Sequence, residues 1–193
     1  VAKKYAGIGV SLVARIKNTR TPFSIDFGVG DVIVPKHEKR KIPTQLDDFP
    51  SPTVNTYSLE TTIAEKIDAI LSLMEFSSRM KDYYDIYYLA NRFDFDGATL
   101  TKALKKTFKN RGHAFTVGQF EQVIEFVNDE AMQKKWNAFC RKIDTDTEDY
   151  GIVLRKINNF LAKPFMAAVT DNDLTEHWIS SVNEWRKKGV SYG

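Results

Sequence analysis

Five charged side chains stand where their types and spacing could do chemistry. Lys66, Arg79, Asp82 and Asp85 fall in the stretch Tyr57 to Ala90, YSLETTIAEKIDAILSLMEFSSRMKDYYDIYYLA. Asp26 falls in an earlier alternating run, FSIDF. A lysine ammonium meets a phosphate as a compact point charge, and an arginine adds a second cation. Carboxylates beside them orient the cations, move a proton or hold a divalent metal. Taken one by one, these types suit a phosphate contact, a charged cluster facing a cleft, and a carboxylate that serves as base or metal ligand.

Two helices must position four of the five. Leu59, Ile63, Ile67, Ile70 and Met74 recur at helical spacing after Ser58, a good N-cap, with Glu60 in the first turn. On a wheel the stripe centres about 40° from Leu59, and Lys66 lies about 60° from that centre, at the border of the buried face. A lysine that lays its stem on apolar surface and keeps its amine in water fits that border as well. After a break at Glu75 to Ser78, a second helix is predicted from Arg79 to Asn91. Its apolar face is Tyr83, Ile86, Leu89, Ala90 and Phe93. Arg79 projects near the middle of that face, Asp82 about 50° off centre and Asp85 about 110° round. Arg79 and Asp82 are therefore expected to lean inward as an i,i+3 pair, with Asp85 supporting from the flank. A purely structural pair at a helix N-terminus is the alternative.

Before these helices the hydrophobic period is two. Ile8, Val10, Leu12, Ala14 and Ile16 share one face of a predicted strand, and Thr19 to Pro22 is predicted as a turn. Phe23, Ile25 and Phe27 then face one way while Ser24 and Asp26 face the other. Gly28 and Gly30 break or bulge that strand, and Val32 to Val34 continue or return it. Pro35 to Lys41 reads as a charged connection, and residues 42–56, with three prolines, as an irregular linker. After the second helix, helices are predicted at Gly97 to Lys109, from Thr116 or Gly118, at Glu130 to Ile143, at Asp149 to Ala162 with an extension past Pro164, and at Leu174 to Lys187. The tail from Lys188 is expected to fray. The fold class is α+β: short antiparallel strands over residues 1–50, then a predominantly helical domain over residues 51–193.

Composition narrows the classes. The chain has 193 residues, 42% hydrophobic and 27% charged, as a folded globular protein does. No apolar run nears the roughly 20 residues of a membrane span, and no signal peptide is expected, since no basic-then-apolar segment stands at the start. A single cysteine, Cys140, excludes a disulfide framework and suits a cytoplasmic setting. The net charge of +3 decides nothing about nucleic acid. Lys102, Lys105, Lys106 and Lys109 project outward from the third helix, as a solvated face or as a track for an RNA acceptor.

The runs PFSIDFGVGDVIVP, YSLETTIAEKIDAI and RMKDYYDIYYL, in this order and spacing, resemble the later motifs of the AbiEii/AbiGii-type nucleotidyltransferase toxins, which are polymerase-β-like enzymes. The late Trp136 and FLAKPF resemble the C-terminal half of the same family. The resemblance implies transfer of a nucleotide from an NTP to a hydroxyl, often on RNA, with Mg2+, and an antitoxin protein as partner. It makes Lys66 the essential lysine, which also binds nucleotide, and Asp82 the essential late aspartate. Arg79, a nucleotide contact, and Asp85 match flanking motif positions. Asp26 matches the strand carboxylate, a catalytic and metal-binding position. The family's opening Gly-Ser turn with its Asp-x-Asp pair has no counterpart: Asp47-Asp48 and Asp144-Thr145-Asp146 stand in other contexts. The expectation is the C-terminal part of such a toxin, or a degenerate member, inactive in transfer by itself. A non-enzymatic helical module that binds RNA or protein is the rival.

Overall fold

In the computed structural model, residues 7–28, 30–144 and 148–187 are described; Thr145, Asp146 and the tail from Lys188 lie outside them. The chain forms two units, Val1–Val32 and Ile33–Gly193.

The first unit is an antiparallel hairpin of β1 (Gly7–Ile16) and β2 (Thr19–Gly28). Its register pairs Ile8 with Phe27, Val10 with Ile25 and Leu12 with Phe23, so the alternating residues share one face. The turn lies at Lys17 and Asn18, not at Thr19 to Pro22. Lys17 has φ 53°, the left-handed conformation that a two-residue hairpin loop demands, and Pro22 sits within β2 opposite Val13. Val32 to Val34 form no strand.

In the second unit, β3 (Glu38–Lys41) pairs antiparallel with β4 (Thr53–Thr56). Both were expected to be irregular. Nearly every side chain of this ribbon is exposed, so neither strand carries the apolar alternation that marks a half-buried one. The helices follow: α1 (Leu59–Leu73), α2 (Met80–Arg92), α3 (Gly97–Arg111), α4 (Val117–Glu125), α5 (Glu130–Lys142) and α6 (Tyr150–Val169). Caps place most of their ends. Ser58, Asp96, Thr116, Asp129 and Asp149 each accept a first-turn N–H, and Gly112 closes α3 in the left-handed conformation at φ 69°. Helix α1 packs on α2, α3 and α4, and α6 packs on α2, α3 and α4 from its own side.

The predicted helix at Leu174 to Lys187 is a hairpin instead. Here β6 (Glu176–Ile179) and β7 (Glu184–Lys187) pair with each other, and β6 pairs with the short β5 (Phe95–Asp96). Trp178, Val182 and Trp185 satisfy a helical spacing, but Trp178 and Trp185 are cross-strand partners. Their aromatic bulk suits a strand pair, and Asn183 at φ 60° makes the turn.

Both indoles complete helix hydrogen bonding. Trp178, fully buried, donates Nε1–H to the carbonyl of Ala90 in the last turn of α2, at 2.7 Å. Trp185 donates to the carbonyl of Phe160 at 2.9 Å. That carbonyl lies four residues before Pro164, which has no N–H to offer it. The helix therefore runs through Pro164 with the missing donor supplied from β7. Gly97 marks the closest approach of α3 to β6: a Cβ there would lie 2.4 Å from the carbonyl of Glu176. Replacing Trp178 with Ala should cost about 3–5 kcal/mol in urea unfolding, since a cavity and an orphaned carbonyl appear together. Trp178→Phe should recover most of the packing and lose about 1–3 kcal/mol for the carbonyl.

Candidate functional site

The site is built on the crossing of α1 and α2. The N-terminus of α1 is tied down before the crossing begins. Ser58 Oγ accepts the Thr61 N–H at 3.1 Å and donates to the carbonyl of Val34, and Val34 N–H donates to Thr61 Oγ1 at 2.8 Å. Ser58, Thr61 and Val34 are all buried, which fixes the rotation of α1. At the far end, Met74 takes φ 47° and a 3₁₀ turn, Met74–Phe76, breaks the chain. Lys135 from α5 pins that break by donating Nζ–H to the carbonyls of Glu75 at 2.9 Å and Ser77 at 3.0 Å.

Across the crossing, Lys66 Nζ lies 3.2 Å from Asp82 Oδ1 and 2.5 Å from Asp85 Oδ2. Asp82 Oδ2 faces Arg79 Nε at 2.6 Å, and Asp85 Oδ2 also takes Lys81 Nζ at 2.6 Å. Asp82 is 3% exposed, whereas the side chain of Lys66 keeps 17%. The ammonium is thus drawn to one edge of a buried carboxylate, in the first turn of α2, where the helix dipole also favours the acid. Three cations and two carboxylates leave this group with one net positive charge.

Two expectations change. Arg79 does not lean inward: its side chain is 57% exposed, and it is the N-cap of α2 with non-helical φ −88° and ψ 56°. A wheel drawn through it extends the helix one residue too far. Asp85, expected to support Asp82 from the flank, is the nearer partner of Lys66 itself. The long lysine stem reaches round α2 to a side chain whose own direction does not point at the core. Asp26 lies on β2, in the other unit, exposed and paired with Gly9. A Cβ on Gly9 would stand 3.2 Å from Asp26 Oδ1, so this carboxylate leans across the hairpin.

A cleft of about 210 Å³ opens beside the cluster. Thr62, Glu65, Lys66 and Ala69, from one face of α1, line it together with Tyr57, Arg79 and Arg111. A second charge cluster adjoins it and was not foreseen. Asp68, 1% exposed, receives Arg111 Nη1 at 2.8 Å on one oxygen and contacts His113 Nδ1 at 2.8 Å on the other. Burial holds the Asp68 carboxyl above the usual carboxylate range, and the hydrogen bond to His113 offsets only part of that rise. Glu65 is also ion-paired with Arg111. Asp68 sits away from the apolar stripe of α1, on the side where a single-faced helix would meet water. Because α3 covers that side too, the residue is buried. The only hint in sequence is an acid in α1 and a basic pair, Arg111 and His113, around the glycine that ends α3.

Among the described residues, no group of three His, Cys, Asp or Glu side chains is arranged to hold a metal ion. None of their helices is long and apolar enough to cross a membrane.

The cluster predicts a measurable coupling. In a double-mutant cycle, Lys66→Met and Asp82→Asn should show an interaction of about 1–3 kcal/mol by urea unfolding. Arg79→Ala should cost under about 1 kcal/mol, because its ion pair is largely solvated on the arginine side.

Residues 1–170 match the family model described as "Nucleotidyl transferase AbiEii toxin, Type IV TA system". No curated protein and no solved structure gives a match.

Proposed function

The chain belongs to the AbiEii nucleotidyl transferase toxin family, and from that membership and the Lys66 cluster we propose that it forms the nucleotide-handling part of a toxin that transfers a nucleotide from an NTP to a hydroxyl acceptor, RNA in particular. One observation carries this reading: the Lys66 ammonium is held by Asp82 and Asp85 at the edge of an open cleft. In that position it meets a triphosphate without a long search, and its charge grows in value as negative charge builds on the leaving phosphates. Asp82 and Asp85 act through Lys66 by fixing where its nitrogen sits. Arg79, solvated and anchored to Asp82, supplies a second cation to the same anion.

A nucleotidyltransferase family implies a divalent metal in general, and Mg2+ suits phosphate oxygens. The described residues do not assemble a donor set for it: Asp26 is a single carboxylate on its hairpin, and Asp82 and Asp85 are each held by cations. On this reading an antitoxin protein is the regulatory partner, and the setting is the cytoplasm.

Calorimetric titration of the full-length gene product with each of the four NTPs tests the proposal. Saturable binding is expected, weakened at least about tenfold in Lys66→Ala, in line with loss of a charge-assisted contact. Binding that ignores Lys66→Ala, or no binding at all, sinks the reading and favours a helical module that binds RNA or protein. Residues 1–193 contain no Gly-Ser turn followed by an Asp-x-Asp pair, so this chain by itself is expected to leave RNA unmodified in the presence of NTP and magnesium.

A further inference from the structure

The cleft beside Lys66 has another cation whose surroundings differ from those of Arg79. Arg111 is the last residue of α3 and lines the same cleft. Its Nη1 donates at 2.8 Å to Asp68, a carboxylate 1% exposed that is also held by His113. That arm is tied to the protein interior. The other arm, Nη2, is ion-paired with Glu65, which itself lines the cleft. The side chains of Arg111 and Glu65 keep 24% and 17% of their exposure, so this second pair borders the opening while the first lies beneath it.

A guanidinium presents a rigid fork that matches two oxygens of a phosphate as well as it matches a carboxylate. The Asp68 anchor fixes the plane of the fork in advance, which lowers the ordering cost of a further contact. Glu65 occupies donors that a phosphate would use, and its charge repels one. We propose that Arg111 is a polyphosphate contact of this cleft and that Glu65 is its resting counter-ion, displaced when the triphosphate of a nucleotide enters. This inference rests on the nucleotide reading above. A network that only joins α1 to α3 would explain the Asp68 contact but gives no reason for the outer pair to line an opening.

The test uses the full-length gene product and two kinds of probe, inorganic tripolyphosphate and the four NTPs, by calorimetry, with thermal melts to report folding separately. Arg111→Lys keeps the charge and loses the fork, and should weaken tripolyphosphate about tenfold. Glu65→Gln keeps the shape and removes the competing charge, and should tighten it about fivefold, the worth of one like charge near a surface. A joining network would lower the melting temperature in both variants and move neither dissociation constant. Wild-type binding that depends on Lys66 but stays within twofold in both variants overturns this inference and leaves the nucleotide reading standing. Weakening in Arg111→Lys without tightening in Glu65→Gln overturns the counter-ion role. Absence of binding by the wild type removes the nucleotide reading and this inference with it. If Arg111→Lys does not fold, the direction of the Glu65→Gln shift decides alone.

Discussion

A lysine shared between two carboxylates sets the geometry of this molecule's helical unit. Lys66 on α1 is bound to Asp82 and Asp85 on α2, and Asp82 is almost wholly buried. Removing a carboxylate from water costs several kcal/mol even after relaxation, and a single ion pair only about offsets it. Asp82 therefore needs more than one partner, and it has Lys66, Arg79 and the first turn of α2. Such a cluster is a poor way to gain stability, because well-packed apolar residues would serve as well or better. What it secures is position: α1 and α2 must meet in one register, or a charge is left bare.

The scaffold around the clasp is organised to hold that register. Ser58 and Thr61 lock the start of α1 to Val34, and Lys135 ties down the break before α2. Farther off, indole N–H groups finish the hydrogen bonding of helices that would otherwise bury bare carbonyls. Trp178 serves Ala90 at the end of α2, and Trp185 serves Phe160 where Pro164 cannot. Trp136 donates instead to the carbonyl of Glu148, in the connection before α6, at 3.1 Å. Each tryptophan thus joins an apolar core contact to a polar obligation. The C-terminal hairpin is consequently part of what keeps α2 and α6 whole, although it lies far along the chain from the clasp.

The parts that were legible in sequence are those governed by local rules. Helices α1 to α6 announce themselves by period and by caps, so Ser58, Thr116 and Gly112 mark true ends. The hairpin β1–β2 is visible in its alternation. Legibility fails where tertiary contact overrides the local pattern. The solvated β3–β4 ribbon has no apolar face to display, and Trp178 and Trp185 keep a helical spacing although they are cross-strand partners in a hairpin. At the candidate site, the wheel places Lys66 and Asp82 near a buried face, where the structure also has them. It misjudged Arg79 because the helix had not yet begun, and Asp85 because a wheel records direction and not the reach of a lysine. Asp68 escaped because α1 is enclosed on more than one side, so amphipathicity no longer separates inside from outside.

That enclosure gives α1 a double role. Toward α2 it presents a cation, Lys66, whose counter-ions belong to the neighbour. Toward α3 it presents anions, Glu65 and Asp68, whose cation belongs to the neighbour. Within the span Glu65 to Asp68 the helix both accepts and donates charge, so the signs alternate around it and neither interface carries a large surplus. The most buried members of both clusters are carboxylates, Asp82 at 3% and Asp68 at 1%, while their cations retain more exposure. The deepest member of each cluster is thus a carboxylate, whereas Glu65 and Asp85, at 17% and 19%, share the rim with the cations. Reversing one cluster, with a buried lysine and a rim carboxylate, would preserve the pairing and the packing but would turn the cleft toward cations. The sign of the site is therefore fixed by which partner is buried, and that follows from short acidic side chains sitting on the helix surface while long basic ones reach past it.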